Sequence, residues 1–243
     1  MATYDLEQQE QLDQLKAFWK QYGNLITWLL VLALVGYASW TGYLWWQQKQ
    51  SAGAGALYEE LDRAAAAGDA TKANQAWADL QSKYPGTTFA QQGALLAARA
   101  DLARKANGDA ILALQWLIKE GKSPDLVAVG RLRLAGIFMD DKKFDEAAKV
   151  LEAEFPVEYA AAVADRKGDV LFGQGKKDEA VNAYQTAYKG MADDIEYRRF
   201  IEGKLTALGR SPEGTTVAKV NPLMQALPPT LPPGMVPAGK LPK

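Results

Sequence analysis

The sequence predicts an all-α protein with a single N-terminal transmembrane helix, followed by an α-solenoid of about four helix pairs and a C-terminal capping helix. Three observations support this fold class. A long apolar run without charge lies near the N-terminus, and the chain after it is rich in helix-forming Ala, Leu, Lys, Glu and Gln with no alternating strand pattern. Turn-forming residues then recur at intervals of 33 to 40 residues, which is typical of a repeat protein.

The apolar run extends from Leu25 to Trp46 and contains no charged residue in 22 positions. As a helix it would be about 33 Å long, enough for a hydrocarbon core of about 30 Å. Aromatic residues cluster near both ends, and five of the seven tryptophans lie between positions 19 and 46. Aromatic side chains favour the two membrane interfaces, so residues 25–46 are predicted to span a membrane.

A cleaved signal peptide is the alternative, because the small residues Ala52, Gly53 and Ala54 imitate a cleavage site. The apolar core is longer than the roughly 7–15 residues of a signal, and acidic residues precede it, so we expect an uncleaved anchor. Lys16 and Lys20 before the span outnumber Lys49 just after it. This weak bias favours a cytoplasmic N-terminus.

Three further segments lie outside the anchor and the repeat domain. Residues 1–24 carry apolar side chains at helical spacing, typical of an amphipathic segment on the cytoplasmic leaflet, a partner-binding segment or a helical lead-in to the span. Residues 47–55 read QQKQSAGAG and are expected to form a flexible linker. Residues 210–243 contain eight of the eleven prolines and are expected to be a disordered tail.

Residues 56–209 are predicted to form the repeat domain, with nine helices of roughly 10–20 residues. Alignment of its segments superimposes four alanines separated by 40, 34 and 33 residues, each followed four positions later by a bulky residue. This spacing lets one helix of a pair approach the other closely. The alanines are Ala73, Ala113, Ala147 and Ala180, and the bulky residues are Trp77, Leu117, Leu151 and Tyr184. Gly68, Gly108 and Gly175 are expected in the left-handed position of the preceding turns.

These segments resemble the tetratricopeptide repeat, most clearly in the last two units, RLRLAGIFMDDKKFDEAAKVL and ADRKGDVLFGQGKKDEAVNAYQTA. The second of the four repeats fits less well, because Asp101 and Arg104 stand where a small and an aromatic residue are expected. The resemblance implies a binding groove lined by the first helix of each unit. The corresponding residues here are Tyr58, Asp62, Leu132, Met139, Asp165, Asp169 and Phe172. Leu132, Met139 and Phe172 could instead pack inside the domain.

The composition argues against several classes of function. Lys plus Arg number 28 and Asp plus Glu 29, so no basic field is present that would hold nucleic acid. There is no cysteine and no histidine, which removes thiolate chemistry and the usual general base and metal ligand. We therefore expect no enzyme activity, no cofactor and no metal site.

The segment EQLDQLKAFWKQYG, followed by the anchor and the repeats, resembles the YfgM family of bacterial inner-membrane proteins. The proline-rich tail is not part of that pattern. The resemblance implies an ancillary subunit of the SecYEG translocon, single-pass in the inner membrane, with a cytoplasmic N-terminus and a periplasmic repeat domain. Its implied partners are a periplasmic prolyl isomerase-like chaperone, translocating polypeptides and membrane lipid.

Two other functions are compatible with the same residues. One is an envelope scaffold for another inner-membrane machine, in cell-wall or pilus assembly. The other is a regulator that binds a cytoplasmic signalling protein through residues 1–24.

Overall fold

A computed structural model describes residues 3–192 and 196–212, with side chains from residue 10 onward. Within these ranges the chain forms nine α-helices and one 3₁₀ turn, and no strand. The helices are α1 (Thr3–Ala66), α2 (Ala70–Lys83), α3 (Thr88–Ala103), α4 (Asn107–Glu120), α5 (Pro124–Asp140), α6 (Phe144–Leu151), α7 (Ala160–Gly173), α8 (Lys177–Gly190) and α9 (Tyr197–Ala207), with the 3₁₀ turn at Val157–Tyr159. The chain divides into two compact units, the first ending at Val127 and the second beginning at Ala128. The tail predicted to be disordered lies almost wholly outside the described residues.

Helix α1 is 64 residues long and contains the whole predicted membrane span. Its part from Glu10 to Ala66 is long and apolar enough to cross a membrane, and none of its most apolar window is buried by other parts of the protein. Leu32, Leu34 and Trp40 are each more than 60% exposed. An uncovered apolar belt of this length is unfavourable in water and is stabilised by lipid.

The flexible linker expected at residues 47–55 is wrong: these residues continue α1 without a break. Ala54 is fully buried, and a side chain at Gly53 would lie 2.7 Å from Cζ of Tyr84. Gly53 and Gly55 therefore allow α1 to pack closely against Tyr84 and Phe89, which follow α2. This packing stabilises the helical conformation of residues 47–55. The helix also continues through Gly23, where an added Cβ would lie 3.2 Å from the Trp19 ring.

The first unit packs α1 against α2 and α3, and α3 against α4. Its core contains Leu61, Leu80, Leu114 and Leu117, all fully buried. Gly93 permits this packing, because a Cβ there would lie 2.5 Å from a methyl group of Leu80. The predicted packing positions Ala73, Ala113 and Leu117 are buried, which confirms the helix-pair alignment in this unit.

Asp101 and Arg104 depart from the repeat pattern because they form an internal ion pair. The Arg104 guanidinium donates to Asp101 at 2.6 Å and to the Asn74 side chain at 2.9 Å. Asp101 is buried, and its desolvation raises the pKa of the carboxyl group against the opposing effect of Arg104. A polar pair thus occupies the place of the expected small and aromatic residues.

The second unit packs α6 against α7, α7 against α8 and α8 against α9. Ala147, Leu151, Ala180 and Tyr184 are buried, so the alignment is confirmed here as well. Helix α9 occupies the place of the predicted capping helix and inserts Ile201 and Leu205 into a cluster with Val181 and Tyr184, among others. Ile201 and Leu205 are both fully buried.

Four equivalent turns have a left-handed residue two positions before the next helix. The residues are Gly68 (φ 70°), Lys105 (φ 63°), Lys142 (φ 60°) and Gly175 (φ 80°). Gly108, predicted for the second turn, lies inside α4 instead. Two lysines therefore accept a backbone conformation for which glycine is the usual choice.

Candidate partner-binding groove

The predicted groove residues fall into both units. In the first unit, Tyr58 is half-buried and its ring packs against Phe89 with centroids 5.9 Å apart. Asp62, one helical turn further along α1, is exposed. Helix α1 thus presents an aromatic residue that is held in place and a solvated carboxylate on neighbouring turns.

Leu132 and Met139 of α5 are only partly exposed. Both pack against the buried cluster formed by Ala135, Ala147 and Leu151 with Val170. This placement matches the alternative in which they belong to the interior of the domain. Phe172 of α7 differs from them, because half of its surface is exposed to solvent.

Asp165 and Asp169 of α7 are engaged by α9. The Lys204 ammonium group lies 2.7 Å from a carboxylate oxygen of each. The Tyr197 hydroxyl donates to Asp165 at 2.8 Å, and the Tyr184 hydroxyl donates to Asp169 at 2.8 Å. Asp165 is only 2% exposed. In the structure it is a buried contact of the capping helix, not a solvent-facing groove residue.

Protonation states in this cluster follow from burial and hydrogen bonding. Burial opposes the charge on Lys204, but its hydrogen bonds to Asp165 and Asp169 outweigh that effect and raise the pKa of the ammonium group. Burial and the hydrogen bond to Asp165 raise the pKa of Tyr197, and burial with the hydrogen bond to Asp169 raises that of Tyr184. The raised pKa values keep Lys204 charged and both phenols neutral at neutral pH. Arg166 also pairs with Asp169, at 3.8 Å.

The sequence-based prediction missed Lys204 and Tyr197. A signal was present, because Lys204 lies beside Ile201 and Leu205 on a helix expected to pack by its apolar face. A lysine at that position requires an acidic partner, and Asp165 and Asp169 are spaced by four residues on the preceding first-of-pair helix.

The described residues show no arrangement typical of catalysis. Among them, no group of three or more Asp, Glu, His or Cys side chains is placed to hold a metal ion. One depression in the second unit measures about 550 Å³ and is lined by Phe144, charged residues and Gln174 beside the turns at Lys142 and Gly175. A second one, of about 440 Å³, is lined mainly by apolar side chains of α7 and its neighbours.

Comparison with known proteins agrees with this architecture. The sequence profile of a family described as a tetratricopeptide repeat-like domain matches residues 16–210. Three relatives are each named "Ancillary SecYEG translocon subunit". The protein of Neisseria gonorrhoeae (strain ATCC 700825 / FA 1090) is 30% identical over 86% of this chain and 100% of its own length. That of Haemophilus influenzae (strain ATCC 51907 / DSM 11121 / KW20 / Rd) is 25% identical over 76% of this chain and 90% of its own.

The Escherichia coli (strain K12) relative is 26% identical over 78% of this chain and 90% of its own length. The match to the Neisseria protein covers the whole length of that relative. The names of all three describe a translocon subunit and no reaction, which agrees with the expectation of a non-enzymatic protein. The chain therefore belongs to the tetratricopeptide repeat-like family of ancillary SecYEG translocon subunits, the YfgM family.

Proposed function

We propose that this protein is a non-enzymatic scaffold, anchored in the bacterial inner membrane beside the SecYEG translocon, which helps translocated polypeptides reach periplasmic chaperones. The observation that carries the proposal is the 30% identity to a translocon subunit over that protein's full length. The uncovered apolar belt of α1 supports the membrane location. A single helix of this kind places a domain at a membrane machine without requiring tight binding in solution.

The proposed orientation has the N-terminus in the cytoplasm and the repeat domain in the periplasm. Lys16 and Lys20 on the N-terminal side of the span favour this orientation over its reverse. Because α1 runs unbroken from the span into the first helix pair, the domain stays within a short distance of the channel exit. Confinement of this kind raises the local concentration of a weak binder to about the millimolar range.

The repeat domain is proposed to bind a prolyl isomerase-like chaperone and emerging polypeptides. Phe172 is the best-supported anchor, because it is a large apolar side chain that remains half exposed on α7. Tyr58 and Asp62 are proposed contacts on the first unit. Asp165 and Asp169 can contact a partner only when α9 moves away from α7, because Lys204 of α9 is paired with both carboxylates.

Site-specific photo-crosslinking in native membranes tests this proposal. A photoreactive phenylalanine at position 172 should capture a periplasmic chaperone or a translocating polypeptide. The same probe at Val157, which is 81% exposed in the same unit, is the matched control for exposed apolar surface. A probe at Gly42 in the span should capture a translocon subunit, since no other described part of the chain covers that position.

Equal capture at positions 157 and 172 would contradict specific binding of a partner at Phe172. Capture of a cell-wall or pilus component from position 42, with no translocon subunit, would favour the envelope scaffold instead. Loss of function on deletion of residues 1–24, with the anchor and its crosslinks intact, would favour the cytoplasmic regulator.

A further inference from the structure

The first unit has one end that must face the membrane. Helix α1 leaves the predicted span at Trp46 and continues as a helix into the unit, so the residues that pack on its next turns lie nearest the lipid. Those residues are Tyr84, whose ring lies over Gly53, and Phe89, whose ring lies 3.5 Å from a Cβ built at Gly55. The loop between α2 and α3 is therefore next to the membrane.

The loop between α4 and α5 lies at the same end. The side-chain oxygen of Gln91, in the first turns of α3, accepts hydrogen bonds from the backbone N–H groups of Lys122 at 2.9 Å and Ser123 at 2.8 Å. The Lys122 ammonium group also lies 3.3 Å from a Cβ built at Gly86. We call residues 83–87 and 119–123 the membrane-proximal end.

The opposite end of the unit, residues 67–69 and 104–106, is called the distal end. It is held together by Arg104, which bonds Asp101 at the end of α3 and Asn74 at the start of α2. Lys105 is exposed there, as Lys122 is at the membrane-proximal end. Thirteen residues of α1 separate Gly53 from Ala66, where the helix ends, or about 20 Å along the helix. The two ends thus differ greatly in their distance from the lipid.

The separation between the membrane-proximal end and the bilayer is short. Gly53 follows Trp46 by seven residues, which is about 10 Å of helix. The headgroup layer itself is roughly 5–8 Å thick on each side of the hydrocarbon core. The two loops therefore stand at the outer boundary of the headgroups, within the length of a lysine side chain.

The charges at this end suit lipid phosphates. Lys83 and Lys122 are exposed, and Lys49 lies against the Trp45 ring at the end of the span. Lys83 has a partly exposed partner, Asp79, at 2.9 Å, and Lys119 has the exposed Glu120 at 3.1 Å. Exposed ion pairs of this kind are weak, so they do not prevent an ammonium group from turning to a phosphate.

We propose that the membrane-proximal end docks on the lipid headgroups of the leaflet on the repeat-domain side, with Lys122 and Lys83 bound to phosphates. This inference rests on the membrane anchoring in the proposed function, but it requires no translocon. Docking holds the first unit upright on the bilayer, because α1 and the two loops together provide three points of attachment.

The native chain has no cysteine, so single cysteines can carry a fluorophore in the full-length protein. The labelled positions are Pro85 at the membrane-proximal end, Lys105 at the distal end and Gln47 at the end of the span. Each protein is reconstituted into nanodiscs with a quencher attached to a fraction of the headgroups, in zwitterionic lipid or in lipid with about 30% phosphatidylglycerol, an anionic surface that attracts lysine. We expect strong quenching at positions 47 and 85 and little at position 105.

The matched charge reversals are Lys122→Glu and Lys105→Glu. Lys122→Glu should lower the ratio of docked to undocked domain by roughly tenfold in the anionic nanodiscs, and Lys105→Glu should leave it unchanged. Position 85 unquenched while position 47 is quenched would overturn the proposal and leave the anchor intact. Equal effects of the two reversals would overturn the role of Lys122. An unquenched position 47 would overturn membrane anchoring itself, and with it both proposals.

Discussion

Replacement of Gly168 by alanine tests the close approach of α7 and α8 in the second unit. A Cβ at this position would lie 2.5 Å from Cε1 and 2.6 Å from Cδ1 of Tyr184. The ring has little room to move, because Tyr184 is buried and its hydroxyl donates to Asp169 at 2.8 Å. The substitution must therefore separate the helices or displace the ring.

Three effects determine the size of the change. Overpacking costs about 1–3 kcal/mol, and weakening the Tyr184 hydrogen bond costs about 1 kcal/mol. Alanine in place of glycine inside a helix returns about 1 kcal/mol. We therefore expect Gly168→Ala to lower the free energy of local unfolding of α7 and α8 by about 1–3 kcal/mol.

Hydrogen exchange of peptides from α7 and α8, read by mass spectrometry on the full-length protein, measures this quantity. The expected loss raises exchange rates by a factor between about five and more than a hundred. The control is Gly203→Ala in α9, where no described atom lies within 4 Å of the new Cβ, so the helix preference for alanine should slow exchange. Slower exchange in both variants would refute the steric argument, as would an unchanged effect of Gly168→Ala after Tyr184 is replaced by alanine.

Two further predictions concern polar contacts. Gln91→Ala should destabilise the first unit by about 1–3 kcal/mol, because the backbone N–H groups of Lys122 and Ser123 lose their acceptor. The control is Gln92→Ala at an exposed position, which should change the free energy of unfolding by less than about 0.5 kcal/mol. Thermal unfolding compares the two variants, and equal effects would contradict a structural role for the Gln91 hydrogen bonds. Folding raises the pKa of Lys204, so the contribution of Lys204 to stability is complete below its unfolded pKa of about 10.4 and is lost as the pH rises through the folded pKa. Folding also raises the pKa of Tyr197, so its contribution to stability is likewise lost above about pH 10. Urea titrations at pH 8 and 11 should show a smaller loss of stability at high pH for Lys204→Met than for the native chain, and an equal loss would contradict this origin.

Much of the repeat architecture could be predicted from small and large residues spaced by four. Ala147 and Leu151 illustrate why: burial of one face of a short helix leaves a periodic trace in the sequence. The membrane span was equally visible, because a run of 22 residues without charge is long enough to cross a bilayer as a helix. These features depend on local periodicity and composition alone.

Other features depend on contacts between distant residues. The segment at 47–55 has the composition of a linker, and only the Tyr84 ring, about 30 positions later, shows why Gly53 lies in a helix. Lys105 and Lys142 accept left-handed conformations that composition assigns to glycine. Asp165 looks like a solvent-facing groove residue until Lys204 and Tyr197 are placed beside it.

The unbroken passage of α1 from the membrane into the repeat domain is tested most directly by a distance between spin labels at Gln47 and Arg63 in lipid nanodiscs. Both positions are exposed, and sixteen residues of helix separate them by about 24 Å. We expect a single narrow distribution near that distance, with the small offset that the label side chains add. A broad distribution extending to clearly shorter and longer values would mean that residues 47–55 are a flexible tether, and that the domain is not held at a fixed position above the membrane.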